Sequence, residues 1–218
     1  MNDHWLRTTF SACVIVLWTA TAQAQQPTNW DVEIASGATA TTGDIGDRLN
    51  GGWNLGLGAG YRFNEIFDLE GNFAFNGLGV SDRVLRTLQV PDGDASLMSL
   101  TVGPRVNIPI ANRVRGYLAA GAGWYRRKVQ FLSPTVGVVD IIDPWWGYLG
   151  SVIVPANQVL GSVSDNAFGA NGGGGVAVLL GRSGTEAFVE IRYHYADTNP
   201  TATSIVPVTF GLRFARGR

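Results

Sequence analysis

Ten charged side chains stand at alternate positions of runs that are otherwise apolar or rich in glycine: Asp31, Glu33, Arg62, Asp68, Glu70, Arg105, Arg115, Glu190, Arg192 and Arg213. Five are carboxylates, five are arginines, and each lies on the less apolar face of its run. A guanidinium is planar, always charged and matched in shape to a carboxylate, so this set has the chemistry of a buried ion-pair network. The whole chain uses fifteen arginines and a single lysine, Lys128, which favours paired over solvated charge. Other chemistry finds little material. The only cysteine is Cys13, and His194 is the one histidine beyond the first few residues, so neither a thiolate nor a multi-histidine metal site is expected, and no cofactor. The run Gly56-Leu57-Gly58-Ala59-Gly60 lacks the strand-turn-helix setting of a phosphate loop, and Tyr61 stands where its last glycine belongs. Small residues that leave room for arginine explain it better. The run Asn171-Gly172-Gly173-Gly174-Gly175 is read as a place where a strand bends or bulges.

Such residues need elements that keep them on one face. Beyond residue 24 no stretch carries a helical period longer than about two turns, whereas strict alternation recurs. Over 52–64, Trp53, Leu55, Leu57, Ala59, Tyr61 and Phe63 share one face, and Asn54, Gly56, Gly58, Gly60 and Arg62 the other. From Phe67, an apolar face of Phe67, Leu69, Phe73 and Phe75 opposes Asp68, Glu70, Asn72 and Asn76. Only Asn64, Glu65 and Ile66 separate the two runs, which predicts a tight hairpin. Six further runs, at 30–34, 98–108, 114–124, 168–178, 188–195 and 206–214, bring the total to eight. The chain is expected to be all-β.

Composition decides which solvent the apolar face meets. Of 218 residues 45% are hydrophobic and only 15% charged, with 29 glycines and a formal net charge of -1. Near-zero charge removes the electrostatic footprint of a nucleic-acid binder. A soluble sandwich would show Lys, Glu and Thr on its polar face; here that face is glycine, alanine, asparagine and arginine. The apolar face carries no charge until Arg126, and one arginine at the midplane of a lipid-facing wall would cost roughly 2 to 4 kcal/mol. Connections after the second, fourth and sixth runs are short and the others longer, the alternation of periplasmic turns and extracellular loops. That topology gathers Trp30, Tyr61, Phe63, Phe67 and Phe214 at one rim and Trp53, Phe75, Trp124, Tyr193 and Tyr195 at the other, two aromatic girdles. Residues 1–24 read as a secretory signal peptide: an apolar centre from Phe10 to Ala20, too short to span a bilayer, ends in Ala22-Gln23-Ala24.

The segments GWNLGLGAGYRFN (52–64), VRGYLAAGAGWY (114–125), FVEIRYHY (188–195) and IVPVTFGLRF (205–214) resemble the small eight-stranded outer-membrane β-barrels of Gram-negative bacteria. The resemblance implies an eight-stranded antiparallel transmembrane up-and-down β-barrel over 25–218, with short periplasmic turns and long extracellular loops. It further implies a monomer in the cell outer membrane, inserted by the barrel-assembly machinery and in contact with outer-membrane lipid and lipopolysaccharide. Family members commonly end on an aromatic residue, whereas here Phe214 is followed by Ala215-Arg216-Gly217-Arg218.

An eight-stranded barrel is filled by side chains rather than water. The leading expectation is therefore a non-enzymatic barrel that serves envelope integrity or surface interaction through its outer loops. A small pore or lateral channel is the alternative, and a lipid A-modifying enzyme using His194 a second. Lipid A deacylases place a serine two residues after a late histidine; here that position is Ala196, and His194 is expected to join Glu190 and Arg192 instead. Residues 128–167 are expected to form the longest loop, with Trp145, Trp146 and Tyr148 as an apolar patch for a partner or a cover over the barrel mouth. Val136 to Ile142 would alternatively prolong the fifth strand or add a hairpin and make ten strands, and Pro134, Pro144 and Pro155 oppose long regular strands. If the chain closes into a barrel, refolded protein migrates differently on a gel before and after boiling; identical mobility would exclude the fold.

Overall fold

The computed structural model describes residues 29–143, 145, 147–181 and 184–215; the expected signal peptide lies outside them. Eight strands follow one another: β1 (Trp30–Thr42), β2 (Leu49–Arg62), β3 (Phe67–Val80), β4 (Asp92–Ala111), β5 (Val114–Asp143), β6 (Gly147–Leu180), β7 (Thr185–Ala196) and β8 (Thr203–Ala215). Each pairs with the next, and β8 returns to β1 through Val32↔Phe214 and Ile34↔Leu212, closing an antiparallel barrel. Closure is what hydrocarbon demands, because no water is present to satisfy the backbone of an open edge.

Period-two sequence sets the faces. Trp53, Leu55, Leu57, Leu100, Val102, Leu118, Ile191 and Phe210 are exposed on the outer wall, while Asp31, Asp68, Glu70, Arg105 and Arg213 are buried inside. One end has tight turns at 63–66 and 112–113, and there β6 ends at Leu180 and β7 begins at Thr185. In the first of these the Asn64 side-chain oxygen accepts from the backbone N–H of Ile66 and of Phe67, at 2.9 and 2.8 Å. The other end has the connections 43–48, with a 3-10 turn at Gly43–Ile45, 81–91, with helix α1 (Asp82–Leu88), and 197–202. Trp30, Tyr61 and Phe63 stack edge to face at the first rim, with centroids 5.1 Å apart in each pair, and Trp53 meets Phe75 at 5.4 Å at the second.

The long loop expected over 128–167 is instead strand. β5 and β6 pair continuously from Val114↔Val178 to Asp143↔Gly147, apart from bulges near Phe131 and Ile141. β4 leaves β5 at Leu132 and β7 leaves β6 at Gly169, so the two strands continue as a free ribbon. Residues 133–143 alone rise about 34 Å. The barrel therefore has eight strands and not ten, the fifth and sixth being prolonged into an arm. Pro134 and Pro155 do not prevent this, because each strand of a two-stranded ribbon has an open edge, the setting in which proline is tolerated.

Backbones approach closely at several glycines, among them Gly103 where β4 pairs with β5. The register passes from Val102↔Ala122 to Arg105↔Ala119, skipping Gly103 and Pro104, and a Cβ on Gly103 would overlap the carbonyl oxygen of Ala120. The neighbouring backbone has no freedom to yield. Gly103→Val should cost about 1 to 3 kcal/mol as overpacking and lower the folded fraction in vesicle refolding assays; a variant that folds as fully as the parent would show that the contact is slack.

Candidate functional site: a charged lumen under an apolar cap

Inward positions of the strands fill the lumen in layers. In the lower part Arg105, with no side-chain exposure, lies among four carboxylates. Its Nη2 is 3.2 Å from Asp31 and 3.0 Å from Asp68, and its Nη1 is 3.4 Å from Glu33 and 3.0 Å from Glu70. Asn107 donates a further bond to Asp68 at 2.8 Å. Arg62 approaches Asp68 at 3.5 Å and Asp31 at 4.0 Å from the periplasmic rim. Arg213 donates to Glu33 at 3.0 Å, and its guanidinium carbon lies 5.1 Å from the Tyr117 ring centre and 5.0 Å from that of Phe188, a cation–π arrangement. Arg192 reaches Glu70 at 2.8 Å and Glu190 at 2.7 Å. Nine of the ten charged residues singled out in the sequence thus meet in the lumen, and the tenth, Arg115, joins them through a further carboxylate.

An eleventh member is Glu186, which pairs with Arg115 and lies 3.6 Å from Arg213. It precedes the alternating run 188–195, and its parity, shared with Glu190 and Arg192, is the sequence signal that places it in the lumen. The glycines of β2 make the crowding possible: a Cβ on Gly60 would lie 2.7 Å from an Asp31 carboxylate oxygen and 3.1 Å from Arg105 Nη2.

Beside this layer is a cavity of about 60 Å³ with a mixed lining, where Asn54, Asn76, Glu190, Arg192 and His194 stand among apolar groups such as Phe188. His194 faces inward as expected, and it reaches Arg192 through other side chains. Its Nδ1 is 3.0 Å from the Tyr125 hydroxyl, which accepts from Asn171 at 3.4 Å, and Asn171 accepts from Arg192 at 3.5 Å, so the imidazole joins the Glu190–Arg192 pair through a tyrosine–asparagine bridge. Ala196, where a hydrolase would carry serine, is fully buried. Among the described residues no group of three or more potential ligands could hold a metal ion.

The outer end is closed by apolar side chains. Ile45, Leu49, Leu78, Val80, Leu97, Tyr125 and Ile205 form a buried cluster, with Val84 and Leu85 of α1 and Val129 and Phe131 of β5 packed on it. Arg127 clamps the mouth, donating to the carbonyls of Thr201 and Asn199 at 3.0 and 2.6 Å and to the Thr203 hydroxyl at 3.0 Å. Of the aromatic arm residues, Trp145 and Tyr148 are exposed by 86% and 64%; Trp146 lies outside the described residues.

A closed barrel with a lipid-facing wall, two aromatic rims and a network of buried ion pairs in its lumen is an integral outer-membrane barrel protein. The family model described as "Outer membrane protein beta-barrel domain" matches residues 10–214, and the chain belongs to that family. Among solved structures it is similar to Neisserial surface protein A (NspA), at 16% identity over 88% of this chain and 99% of that one, with a TM-score of 0.57. It is also similar to Ail, the attachment invasion locus protein of Yersinia pestis, crystallised with the heparin analogue sucrose octasulfate (20% identity, 85% and 99% covered, TM-score 0.47). The outer membrane protein OprG of Pseudomonas aeruginosa matches at 13% identity over 88% and 98%, with a TM-score of 0.41. No curated protein matches the sequence.

Arg105→Leu would leave four buried carboxylates short of their shared partner. Removing one member of a buried ion-pair set costs about 3 to 5 kcal/mol. Urea unfolding in detergent micelles should register that loss, while Arg86→Leu on the exposed face of α1 stays within about 0.5 kcal/mol of the parent. Equal midpoints for the two variants would mean that the lumen cluster contributes nothing.

Proposed function

We propose that this protein is a non-enzymatic outer-membrane barrel that makes surface contacts through its β5–β6 arm, on a lumen that passes no solute. The observation that carries this reading is the arm itself. Val136, Trp145, Tyr148 and Ile153 are all strongly exposed on it, held by a paired backbone rather than a slack loop. Exposed apolar side chains on a rigid support mark an interaction surface. Between 133 and 158 the chain carries two acids, Asp140 and Asp143, and no Lys or Arg, which suits an apolar partner without strong negative charge. Asp140 accepts from Ser151, whose hydroxyl also meets that of Tyr148 at 2.7 Å, so the tip is braced by its own side chains.

The sealed lumen is supported by the ion cluster at one end and the apolar cap at the other, and the absence of catalysis by a histidine bonded to Tyr125 with alanine two residues on. In this reading residues 1–24 are removed on export, residues 25–218 form a monomer, the barrel-assembly machinery inserts it, and lipopolysaccharide surrounds it.

Replacing residues 133–158 by Asn-Gly should leave the heat-dependent gel mobility unchanged. It should reduce adhesion of expressing cells to cultured host cells and to octyl-coated beads by at least tenfold, with Trp145→Ala and Tyr148→Ala giving intermediate losses. Undiminished adhesion by the shortened barrel would end the arm hypothesis, and discrete conductance steps in a planar bilayer would end the sealed lumen.

A further inference from the structure

The outward face of β5 is free of charge from Val114 to Trp124 and then carries Arg126 and Lys128. Ten residue steps cover about 34 Å along a strand, or ~26 Å along the membrane normal at a tilt of about 40°. That equals the apolar band of an outer-membrane barrel, so Trp124 marks its upper limit. Arg126 and Lys128 follow about 5 and 10 Å higher on the same face, at the depth of lipid headgroups. Arg126 is exposed and Lys128 half-buried. Among the described residues neither has a side-chain hydrogen bond or ion pair, in contrast to the lumen arginines.

Beside Lys128 the outer wall has a recess of about 490 Å³, lined by Trp53, Phe75, Gly77, Gly79 and Asp94 among others. The glycines of β3 open it. A Cβ on Gly77 would come within 2.7 Å of the Trp53 indole nitrogen, so this glycine seats the ring, whereas a Cβ on Gly79 would meet nothing nearer than Asn50 at 3.6 Å. Aromatic rings at the rim and unpaired cations beside them offer an amphipathic surface, with room for apolar chains against Trp53 and Phe75 and for an anion at Lys128 and Arg126.

We propose that this wall is a binding site for a lipid of the outer leaflet whose headgroup carries phosphate, the chemistry of lipid A. Arg126 and Lys128 hold the phosphate, and the recess takes the part of the molecule at the acyl boundary. Asp94 is the acid of the recess and works against the anion. The inference rests on the outer-membrane placement of the barrel and is independent of the arm.

The test uses the full refolded barrel in detergent micelles, titrated with lipid A and with dephosphorylated lipid A, and read by native mass spectrometry and by the temperature of the gel-mobility shift. A single cation near an anionic surface contributes about fivefold in affinity. Arg126→Gln combined with Lys128→Gln should therefore weaken lipid A binding by more than about tenfold and leave the dephosphorylated lipid unaffected. Gly79→Val, which fills the recess without altering charge, should weaken both lipids, and Asp94→Asn should strengthen lipid A binding a few-fold. Equal retention of the two lipids by the parent protein, or parental affinity in the double variant, would overturn the site. Inorganic phosphate that competes at concentrations equal to lipid A would overturn the lipid as its ligand. The barrel lacking its arm should bind as the parent does, so failure here and failure of the arm hypothesis are separately visible.

Discussion

Arg105 is fully buried, and its charge is tolerated only because four carboxylates surround it. A guanidinium or carboxylate withdrawn from water costs several kcal/mol unless partners and hydrogen bonds replace its hydration. Nothing in the lower lumen is therefore free to change alone. The carboxylates come from β1 and β3, Arg105 from β4, and the cluster extends through Arg62 of β2, Arg115 of β5, Glu186 and Arg192 of β7 and Arg213 of β8, linking seven of the eight strands. The demand for space explains why β2 presents Gly58 and Gly60 to the lumen, since a Cβ there would enter the carboxylates of Glu33 and Asp31. The same demand fills the lower lumen with side chains.

The sense of the alternation inverts at the outer membrane boundary. Within the apolar band the large hydrophobic residues face out, as Leu100 and Val102 do, and polar ones face in, as Ser99 and Thr101 do. A few residues along the same strand Leu97 and Ala95 face in, while Ser96 and Asp94 face out. β5 repeats the inversion, with Trp124 outward below and Arg126 and Lys128 outward above. The barrel is thus inside-out in lipid and of ordinary polarity where it meets water. The apolar cap over the lumen and the cationic rim outside it are two consequences of that one change of solvent.

Much of this was legible in residue order. Alternation over 52–64 and 98–108 set the faces of β2 and β4, and the pairing of Asp68 with Arg105 across β3 and β4 follows from facing parity once the strands are adjacent. What escaped were features that carry no large apolar alternation. Ser36 to Thr42, all small residues, prolong β1 without a periodic signal, and Glu186 stood too near a turn to be counted with its strand. The hydrogen bond between Tyr125 and His194 joins β5 to β7, strands that are not neighbours, and no local pattern reports a contact across the lumen.

Residue order settled the class of element, the faces, the solvent of each face and the family, because period two and charge placement are local properties that the membrane enforces strand by strand. It left open which charges meet, how far the fifth and sixth strands run and what closes the mouth. Those depend on shear and closure, which bring side chains distant in sequence to the same height in the lumen, and on the pairing of β5 with β6, which turned an apparent loop into an arm.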